Sequence, residues 1–582
     1  VPCASGVTMQ TFVVILLLSV VLVSAYETKF ANEYAVRLSP NTNLEAIARE
    51  HGVTFKRRST FDENIYIFKV PNESHDPKFH LSPFVEWFRP EYEVQMAKRQ
   101  PIWSDPLYPN QYHLEDTSFD NDINVAPVWA ANKYGSGITV VVIDDGVDPA
   151  HPDIQPNYNS QLGRDFVEDD ADPTPQTGDT HGAACAGLVA AVGNNGVCGV
   201  GIAPSATLGG VNLIGGGYTA NEEAEALVFG LSTPVHIYSN SWGPPDNGKL
   251  APLFGEQTEA AFVDGITNGR NQLGAIYVWA AGNGRANNDN VNYDAYANSR
   301  YTIAVGAISR KDGEFTWYGE PGAPIVVSAP SGDDEDLVTT SSVSPSACDE
   351  GFSGTSAACP MVSGVVALIL EENPQLGWRD VQGILLESAA VNDPDDSDWF
   401  TNGGGHPVNH NYGYGRVDAD AAVTLAGSWT NLQGAVMEAS GTIPVGVAIA
   451  DNQPMTFTES IWDCTSRTSV EHVEIVFTAT HPFVGDLNVI LQSPFGTQSV
   501  LAVTRAEDDT ANYNAWKFTS MRHWDEDSFG TWTLRVSDGT ATNIGTFDSW
   551  SITIHGRSCP DGQFIDNAGT GNCAPCTSPC AT

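Results

Sequence analysis

The sequence contains the run Ile138-Thr139-Val140-Val141-Val142-Ile143, which leads directly into Asp144-Asp145-Gly146. A continuous apolar run rich in β-branched residues is typical of a strand buried on both faces of a parallel sheet. Ligand and catalytic groups collect at the carboxyl ends of such strands. The sequence therefore predicts an α/β domain with Asp144 at the functional edge of its sheet.

Two other stretches carry residues that can act together with an aspartate. Asp179-Thr180-His181-Gly182 leads into the small-residue segment 183–192, which predicts a helix starting at the histidine. Gly354-Thr355-Ser356-Ala357-Ala358-Cys359-Pro360 leads into an apolar run, which predicts a helix opening at the serine. A serine at a helix start is by itself usually an N-cap. The order Asp144, His181, Ser356 instead predicts a catalytic triad, in the chain order of subtilisin.

A fourth stretch supplies a hydrogen-bond donor for the reaction. Residues 275–280 predict another buried strand, which runs into Ala281-Gly282-Asn283-Gly284. The amide of Asn283 can donate to a developing oxyanion, as can free N–H groups at the start of the serine helix.

Together these motifs resemble those of a subtilisin-like serine protease, and within that clan a proprotein convertase of the kexin/furin type. The resemblance implies that Ser356 attacks the scissile carbonyl, His181 transfers the proton and Asp144 orients the imidazole. It also implies that Asn283 and the Ser356 N–H stabilise the tetrahedral oxyanion.

Changes in sequence pattern predict the domain organisation. Strand-like runs alternate with helical stretches over 100–427, which predicts a parallel sheet with helices on both faces, whereas short β-type runs over 428–556 predict an all-β sandwich or jelly roll. The second region resembles the convertase P domain, and the region before 100 resembles a small α+β prodomain. The predicted segments are a signal peptide (1–25), an inhibitory prodomain (26–99), a subtilisin-like catalytic domain (100–427), a P domain (428–556) and the start of a furin-type Cys-rich region (557–582).

The charge distribution favours cationic ligands. The net charge is −44, and residues 26–99 are balanced with 11 basic and 11 acidic side chains, so the imbalance lies after residue 99. Such a field repels nucleic acid and anionic membranes and attracts Ca²⁺ and basic peptides. For most of these carboxylates we favour the simpler interpretation of a solvated acidic surface.

The predicted prodomain ends in Met96-Ala97-Lys98-Arg99. A dibasic pair at this boundary predicts self-processing after Lys98-Arg99. The resemblance implies that the released segment acts as an intramolecular inhibitor and chaperone.

The resemblance also implies acidic substrate pockets, because a desolvated basic side chain requires a charged partner. Asp246 and Asp294 match S1 carboxylates and Asp145 matches an S2 carboxylate, so the expected substrate has paired basic residues at P1 and P2. Glu225 and Tyr296 match S4 residues of the family, but a further S4 carboxylate is replaced by Pro252, so the demand for a P4 Arg should weaken. The residues assigned to substrate binding are Asp246, Asp294, Asp145, Glu225, Tyr296 and Trp242.

The family's calcium sites also have counterparts, since Ca²⁺ prefers clustered carboxylate and carbonyl oxygens. From spacing alone, an acidic loop such as 165–172 is more often merely solvated. The resemblance implies one site at Asp105, Asp153 and Asn195 with the carbonyls of Val192, Val197 and Gly199, a second at Asp246, Asp289 and Glu320, and a third at Asp165, Asp170 and Asp172.

The ten cysteines favour an oxidising compartment. The resemblance implies a disulfide between Cys198 and Cys348 and a free Cys185. Cys359 is predicted to be a small buried side chain rather than a catalytic thiol. The tail cysteines favour disulfides, with a zinc site as the alternative.

The predicted signal peptide contains an apolar run of twelve residues, Phe12 to Val23, which is too short to span a bilayer. No transmembrane anchor is expected from the sequence, and the resemblance implies a location in the Golgi or secretory granules, or secretion. The expected partners are basic-motif precursor proteins, with no nucleic acid. The alternatives are a secreted subtilase of broad specificity and a non-enzymatic binding scaffold.

Overall fold

The computed structural model describes the chain from Thr28, with short gaps, to Ser558, followed by two short strands. The described residues are 28–40, 42–59, 62, 64–72, 75–94, 103–233, 235–251, 253–333, 338–343, 347–432, 434–461, 468–541, 543–558, 563–565 and 573–575. The predicted signal peptide, the Lys98-Arg99 pair and the tail cysteines other than Cys573 lie outside these residues. The chain divides into two compact units, 1–99 and 100–582.

The first unit is a four-stranded antiparallel sheet with one helix. Its core contains Val36, Ile47 and Phe68, which are at most 1% exposed. The strand order is β2-β3-β1-β4. The elements are β1 (Thr28–Leu38), α1 (Leu44–His51), β2 (Thr54–Arg58), β3 (Ile65–Lys69) and β4 (Val85–Val94).

The second unit begins with a seven-stranded parallel sheet in the order β11-β10-β9-β8-β5-β7-β6. The predicted α/β architecture is confirmed here. Its strands are β5 (Thr139–Asp144), β6 (Tyr158–Asp165), β7 (Thr207–Asn212), β8 (Ile237–Asn240), β9 (Ile276–Ala280), β10 (Thr302–Ile308) and β11 (Ile325–Pro330). All six residues of β5 are buried, as its apolar composition predicts.

Helices cover this sheet, and smaller strands join them. The helices are α2 (Ala126–Ala130), α3 (His181–Ala190), α4 (Ala220–Leu227), α5 (Glu256–Gln272), α6 (Thr355–Glu372), α7 (Trp378–Ser388) and α8 (Ala419–Ser428). The paired strands are β12 (Val338–Ser341) with β13 (Cys348–Phe352), and β14 (Phe400–Thr401) with β15 (Pro407–Val408). The regular part of α5 ends before Gly269, where the backbone leaves helical geometry.

Helices α3 and α6 are apolar nearly all round because they lie inside the core. Every residue of α3 after His181 is buried, and fifteen of the eighteen residues of α6 are buried. Over the described part of the chain, α6 is the single helix long and apolar enough to cross a membrane. Its burial explains that composition without a membrane.

The all-β region forms two antiparallel sheets around a shared apolar core, as predicted. One sheet has the order β16-β24-β19-β22, with β17 also pairing β24, and the other has the order β18-β23-β20-β21. The core includes Phe477, Trp532 and Leu534 together with Tyr293 and Ala323, which lie N-terminal to it. The strands are β16 (Ala435–Ala439), β17 (Ile443–Ile449), β18 (Met455–Ile461), β19 (Thr468–Thr480), β20 (Leu487–Gln492), β21 (Gln498–Ala502), β22 (Tyr513–Ser520), β23 (Gly530–Asp538) and β24 (Gly545–Ser558).

Candidate active site

The sheet and two buried helices bring the predicted triad residues together. Asp144 ends β5 and is fully buried, whereas His181 is the first residue of α3. His181 Nδ1 lies 2.8 Å from Asp144 Oδ1. Burial alone would lower the pKa of His181, but the adjacent Asp144 carboxylate outweighs burial and raises it. Asp144 therefore fixes the imidazole orientation and stabilises its protonated form.

Ser356 lies in the first turn of α6 and is partly exposed. Its hydroxyl points to the Ser241 carbonyl oxygen at 3.5 Å, and Ser241 Oγ donates to the Ser356 carbonyl at 3.1 Å. Hydrogen bonds between a nucleophile and its general base are often long before substrate binds. Cys185 Sγ lies behind the pair, 3.9 Å from His181 Nδ1 and 3.6 Å from the Ser356 carbonyl oxygen.

Asn283 is held with its amide available to the cleft. Its Oδ1 accepts hydrogen bonds from the backbone N–H of Thr355 at 2.8 Å and from the Thr355 hydroxyl at 3.0 Å. The Nδ2 group therefore faces away from Thr355. Gly354 has a φ of +83°, and a Cβ there would lie 3.3 Å from Asn283 Oδ1, so glycine permits this close approach.

A cavity of about 200 Å³ opens beside Ser356, and Asp246, Asn283 and Asp294 all line it. Asp246 is exposed, whereas Asp294 is partly buried. Burial raises the pKa of Asp294 to about 7, and the carboxylates of Asp246 and Asp289 add to the shift. The cavity thus places carboxyl groups that have no basic partner among the described ion pairs beside the nucleophile. This arrangement suits a cationic side chain.

Asp145 caps the histidine helix. Its Oδ1 accepts the Gly182 N–H at 2.7 Å and its Oδ2 accepts the His181 N–H at 3.2 Å. Burial and then the Asp144 charge raise the pKa of Asp145. Asp145 therefore has a structural role in positioning His181. The predicted role in the S2 pocket would be a second one.

The predicted S4 residues are only partly brought together. Tyr296 stacks on Trp279 at 4.9 Å, and Trp242 meets Tyr296 edge-on at 5.2 Å. Glu225, however, is exposed and accepts from Asn221 on its own helix at 2.6 Å.

Glu223 takes the position predicted for Glu225. It is 5% exposed, and its carboxylate lies close enough to the Tyr296 hydroxyl to raise the pKa of that group. Two residues along a helix correspond to a rotation of about 200°, so these side chains point to opposite sides. Burial raises the pKa of Glu223.

The residues of the first predicted calcium site lie around one loop. Asp105 is 2% exposed and accepts N–H bonds from Asn194, Asn195 and Gly196, at 2.6, 3.0 and 3.1 Å. Asn195 Nδ2 in turn donates to Asp153, which is fully buried, at 2.8 Å. Val192, Val197 and Gly199 belong to the same loop. The donor set is all oxygen, and its two carboxylates repel each other, which suits a hard divalent cation.

The second predicted site lies beneath the cavity. Glu320 and Asp289 are 3% and 7% exposed, and Asp246 lies close enough to Glu320 for the two carboxyl groups to influence each other's pKa. Burial, followed by the charges of Asp289 and Asp246, raises the pKa of Glu320 well above its ordinary range, and burial raises the pKa of Asp289 to about 6. Carboxyl groups packed this closely fit a cation that would neutralise them.

The third predicted set lies on one turn, where the backbones of Asp165 and Asp170 pair through N–H bonds of 2.9 and 3.1 Å. Asp165 is buried and accepts N–H bonds from Val167 and Glu168 at 2.6 and 2.8 Å, and the Asn212 amide at 2.9 Å. Asp170 and Asp172 are exposed, and each accepts the N–H two residues later in its own turn. These hydrogen bonds hold the side chains within the turn, and a calcium site at this set stays a prediction.

Four cysteines of the catalytic region, Cys185, Cys198, Cys348 and Cys359, follow the prediction. Cys198 and Cys348 form a disulfide with a Cα–Cα distance of 5.5 Å. Cys185 and Cys359 are free and buried. Burial raises the pKa of Cys359 to about 12, so it stays a neutral thiol packed against the Asn240 carbonyl.

Comparison with known sequences finds related families and proteins. The sequence model of the Subtilase family matches residues 135–415, and that of the Proprotein convertase P-domain matches residues 470–554. Human furin is 34% identical over 571 residues, covering 94% of this chain and 71% of furin. Human proprotein convertase subtilisin/kexin type 4 is 34% identical over 557 residues, covering 91% of this chain and 72% of that protein.

The fold also has a solved relative. A serine protease of Aeromonas sobria superposes with a TM-score of 0.72 at 24% sequence identity, covering 80% of this chain and 97% of that one. At this identity the likeness concerns the fold alone.

The fold, the cleft and these relatives define a subtilisin-family serine endopeptidase. With its P domain, the chain belongs to the furin/kexin-type proprotein convertases.

Proposed function

We propose that this convertase is a calcium-dependent endoprotease that cleaves precursor proteins after paired basic residues. The observation that carries the proposal is the cavity shared by Ser356, Asp246 and Asp294, since it joins a nucleophile to carboxylates with no basic partner among the described ion pairs. A cationic P1 side chain would supply the missing charge.

In the proposed reaction, Ser356 Oγ bonds to the scissile carbonyl carbon while its proton moves to His181 Nε2. Asp144 stabilises the imidazolium through the 2.8 Å contact at Nδ1. The Asn283 amide and the Ser356 N–H stabilise the oxyanion. The C–N bond then breaks as His181 returns the proton to the leaving amine, and water releases the acyl group by the same route.

The pockets support P1 Arg or Lys through Asp246 and Asp294, and P2 Lys or Arg through Asp145. At P4, the residues next to the substrate path are Tyr296, Trp242 and Glu223 rather than Glu225. One buried carboxylate supports a tolerated P4 Arg rather than a strict requirement for it.

Two oxygen-rich sets support calcium binding: Asp105, Asp153 and Asn195 with nearby carbonyls, and Asp246, Asp289 and Glu320. Bound calcium supplies positive charge to these carboxylates. In the second set, Asp246 both lines the S1 cavity and interacts with Glu320. The position of Asp246 in the cavity therefore depends on how the negative charge of this set is neutralised.

We further propose processing after Lys98-Arg99, inhibition by the segment 26–99, and function in the secretory pathway. These proposals rest on the dibasic pair, on the compact first unit that ends at Arg99, and on the convertase relatives.

The test uses matched fluorogenic peptides ending Arg-X-Lys-Arg, Ala-X-Lys-Arg and Ala-X-Ala-Arg, with Ser356→Ala as the blank. We expect fast cleavage of both dibasic peptides, slow cleavage of the third, and loss of activity in a calcium chelator that added Ca²⁺ reverses. Similar rates on all three would favour a broad subtilase. Rates equal to the blank would favour a binding scaffold.

A further inference from the structure

The P domain contacts the loop that extends from Asp246 in the wall of the S1 cavity. This loop, residues 246–250, begins at Asp246. On its catalytic-domain side, the Gly248 N–H donates to Asp289 Oδ2 at 2.8 Å. On its P-domain side, Arg505 Nε donates to the Gly248 carbonyl at 3.1 Å. Gly248 thus joins the P domain to the carboxylates beneath S1.

Arg505 is unusual because it is a guanidinium only 1% exposed. It pairs with Asp508, whose side chain is fully buried, and Asp508 Oδ2 also accepts the Leu250 N–H at 3.1 Å. The pair therefore fixes two backbone positions of the S1 loop, one through a carbonyl and one through an N–H.

The same guanidinium also contacts the second S1 segment. Arg505 Cζ lies 3.3 Å from the centre of the Tyr293 ring, and the Tyr293 hydroxyl accepts the Val503 N–H at 2.7 Å. Tyr293 directly precedes Asp294. Both segments that carry S1 carboxylates are therefore held by one P-domain side chain and its neighbours.

We infer that Arg505 is a positioning residue for P1 recognition, which acts through Gly248 and Tyr293 and does not touch substrate. This inference rests on the proposed S1 role of Asp246 and Asp294. A planar guanidinium can pair with Asp508, donate through Nε and stack on a ring at once, which a lysine ammonium cannot do.

Two other ion pairs join the same domains and serve as controls. Arg379 Nε donates to Glu471 at 2.6 Å, and neither residue lines the S1 cavity. Lys249 and Asp509 pair at 2.7 Å, with side chains 42% and 69% exposed. An exposed pair of this kind contributes little.

The experiment compares Arg505→Lys with Arg379→Lys and Asp509→Asn in the full chain. Retained charge at position 505 avoids leaving Asp508 buried and unpaired, and Arg505→Gln with Asp508→Asn is a second variant if Arg505→Lys folds poorly. The probes are benzamidine, which occupies S1 as a cation, an Ala-X-Lys-Arg peptide, and phenylmethanesulfonyl fluoride, which modifies Ser356 without a P1 cation.

We expect Arg505→Lys to raise the benzamidine inhibition constant and the KM for the peptide about tenfold, the range for a lost hydrogen bond to a charged group. The kcat and the rate of sulfonyl fluoride inactivation should stay within about twofold, and both control variants should match the wild type.

An unchanged benzamidine constant in Arg505→Lys, or an equal change in Arg379→Lys, would overturn this inference while leaving the proposed function intact. A parallel fall in sulfonyl fluoride inactivation would also overturn it, because Arg505 would then support the whole fold. A wild-type protein that binds no benzamidine would contradict the proposed function itself.

Discussion

The triad and the S1 region both hold carboxylates away from water, but they differ in what faces these groups. Asp144 has His181 at 2.8 Å and the Asp145 N–H at 2.8 Å. Asp289, Asp294 and Glu320 lie close to other carboxyl groups, and burial raises the pKa of each, although the Arg505 charge opposes the rise at Asp289. Among the described residues, Asp144 has a basic partner in the triad, whereas in the proposed function the S1 carboxylates are balanced by a substrate cation and by calcium.

The largest effect is expected from removal of the nucleophile, which should affect the triad and leave the S1 region unchanged. Ser356→Ala should lower kcat by about 10⁶-fold, as loss of the serine does in subtilisin, because no acyl-enzyme can form. The S1 carboxylates are untouched, so benzamidine should still bind with unchanged affinity. Active-site titration would check the loss of the nucleophile, and calorimetry would check benzamidine affinity. Loss of benzamidine binding in Ser356→Ala would contradict the separation of the triad from the S1 carboxylates.

Asp144→Asn should lower kcat by about 10⁴-fold, since the imidazole loses its orienting acceptor. In the wild type, Asp144 raises the pKa of His181, and the base must be neutral to act, so activity should rise with pH through that pKa. In Asp144→Asn the pKa of His181 should be lower, so the rise of activity with pH should occur at lower pH. A pH profile of kcat/KM would test this. A rise in activity at the same pH in the variant and the wild type would contradict the role of Asp144 as the partner of His181.

Asp294→Asn should lower kcat/KM for a P1 Arg peptide by about 10²–10³, because it removes a partly buried charge that faces the P1 cation. Inactivation by phenylmethanesulfonyl fluoride should remain near the wild-type rate, which separates recognition from chemistry. Asp509→Asn, an exposed P-domain position, is the control. Equal losses for peptide and sulfonyl fluoride would mean that Asp294 supports the fold rather than S1.

The smallest effect is expected at P4. Glu223→Gln should reduce the preference for P4 Arg over P4 Ala by about threefold to tenfold, whereas Glu225→Gln should leave it unchanged. Glu223 lies against Tyr296, whereas Glu225 is exposed on the other side of α4. A peptide pair differing only at P4 measures the ratio, and a larger change in Glu225→Gln would restore the prediction made from the sequence.

The sequence was most informative where local pattern controls structure. The apolar run at 138–143 predicted a buried strand ending at Asp144, and the small-residue segments predicted helices beginning at His181 and Ser356. Residue type and chain order therefore predicted three of the residues that the fold brings together.

Side-chain direction and long-range contacts were not predictable in this way. Glu223 and Glu225 are the same residue type on the same helix, and only the rotation of α4 decides which one lies next to Tyr296. Thr355 holds Asn283 across 72 positions of the chain, and Arg505 reaches Gly248 across 257 positions. Only the adjacency of Thr355 to Ser356 could have drawn attention to the first contact.

In the proposed function, P1 recognition depends on Asp246 and Asp294, which have no basic partner among the described ion pairs. The most direct test compares cleavage of Ala-X-Lys-Arg with Ala-X-Lys-citrulline, whose P1 side chain has nearly the same shape but no charge. We predict a kcat/KM ratio of at least about 10² in the wild type, falling to near one in Asp294→Asn. Equal cleavage of both peptides by the wild type would contradict the account.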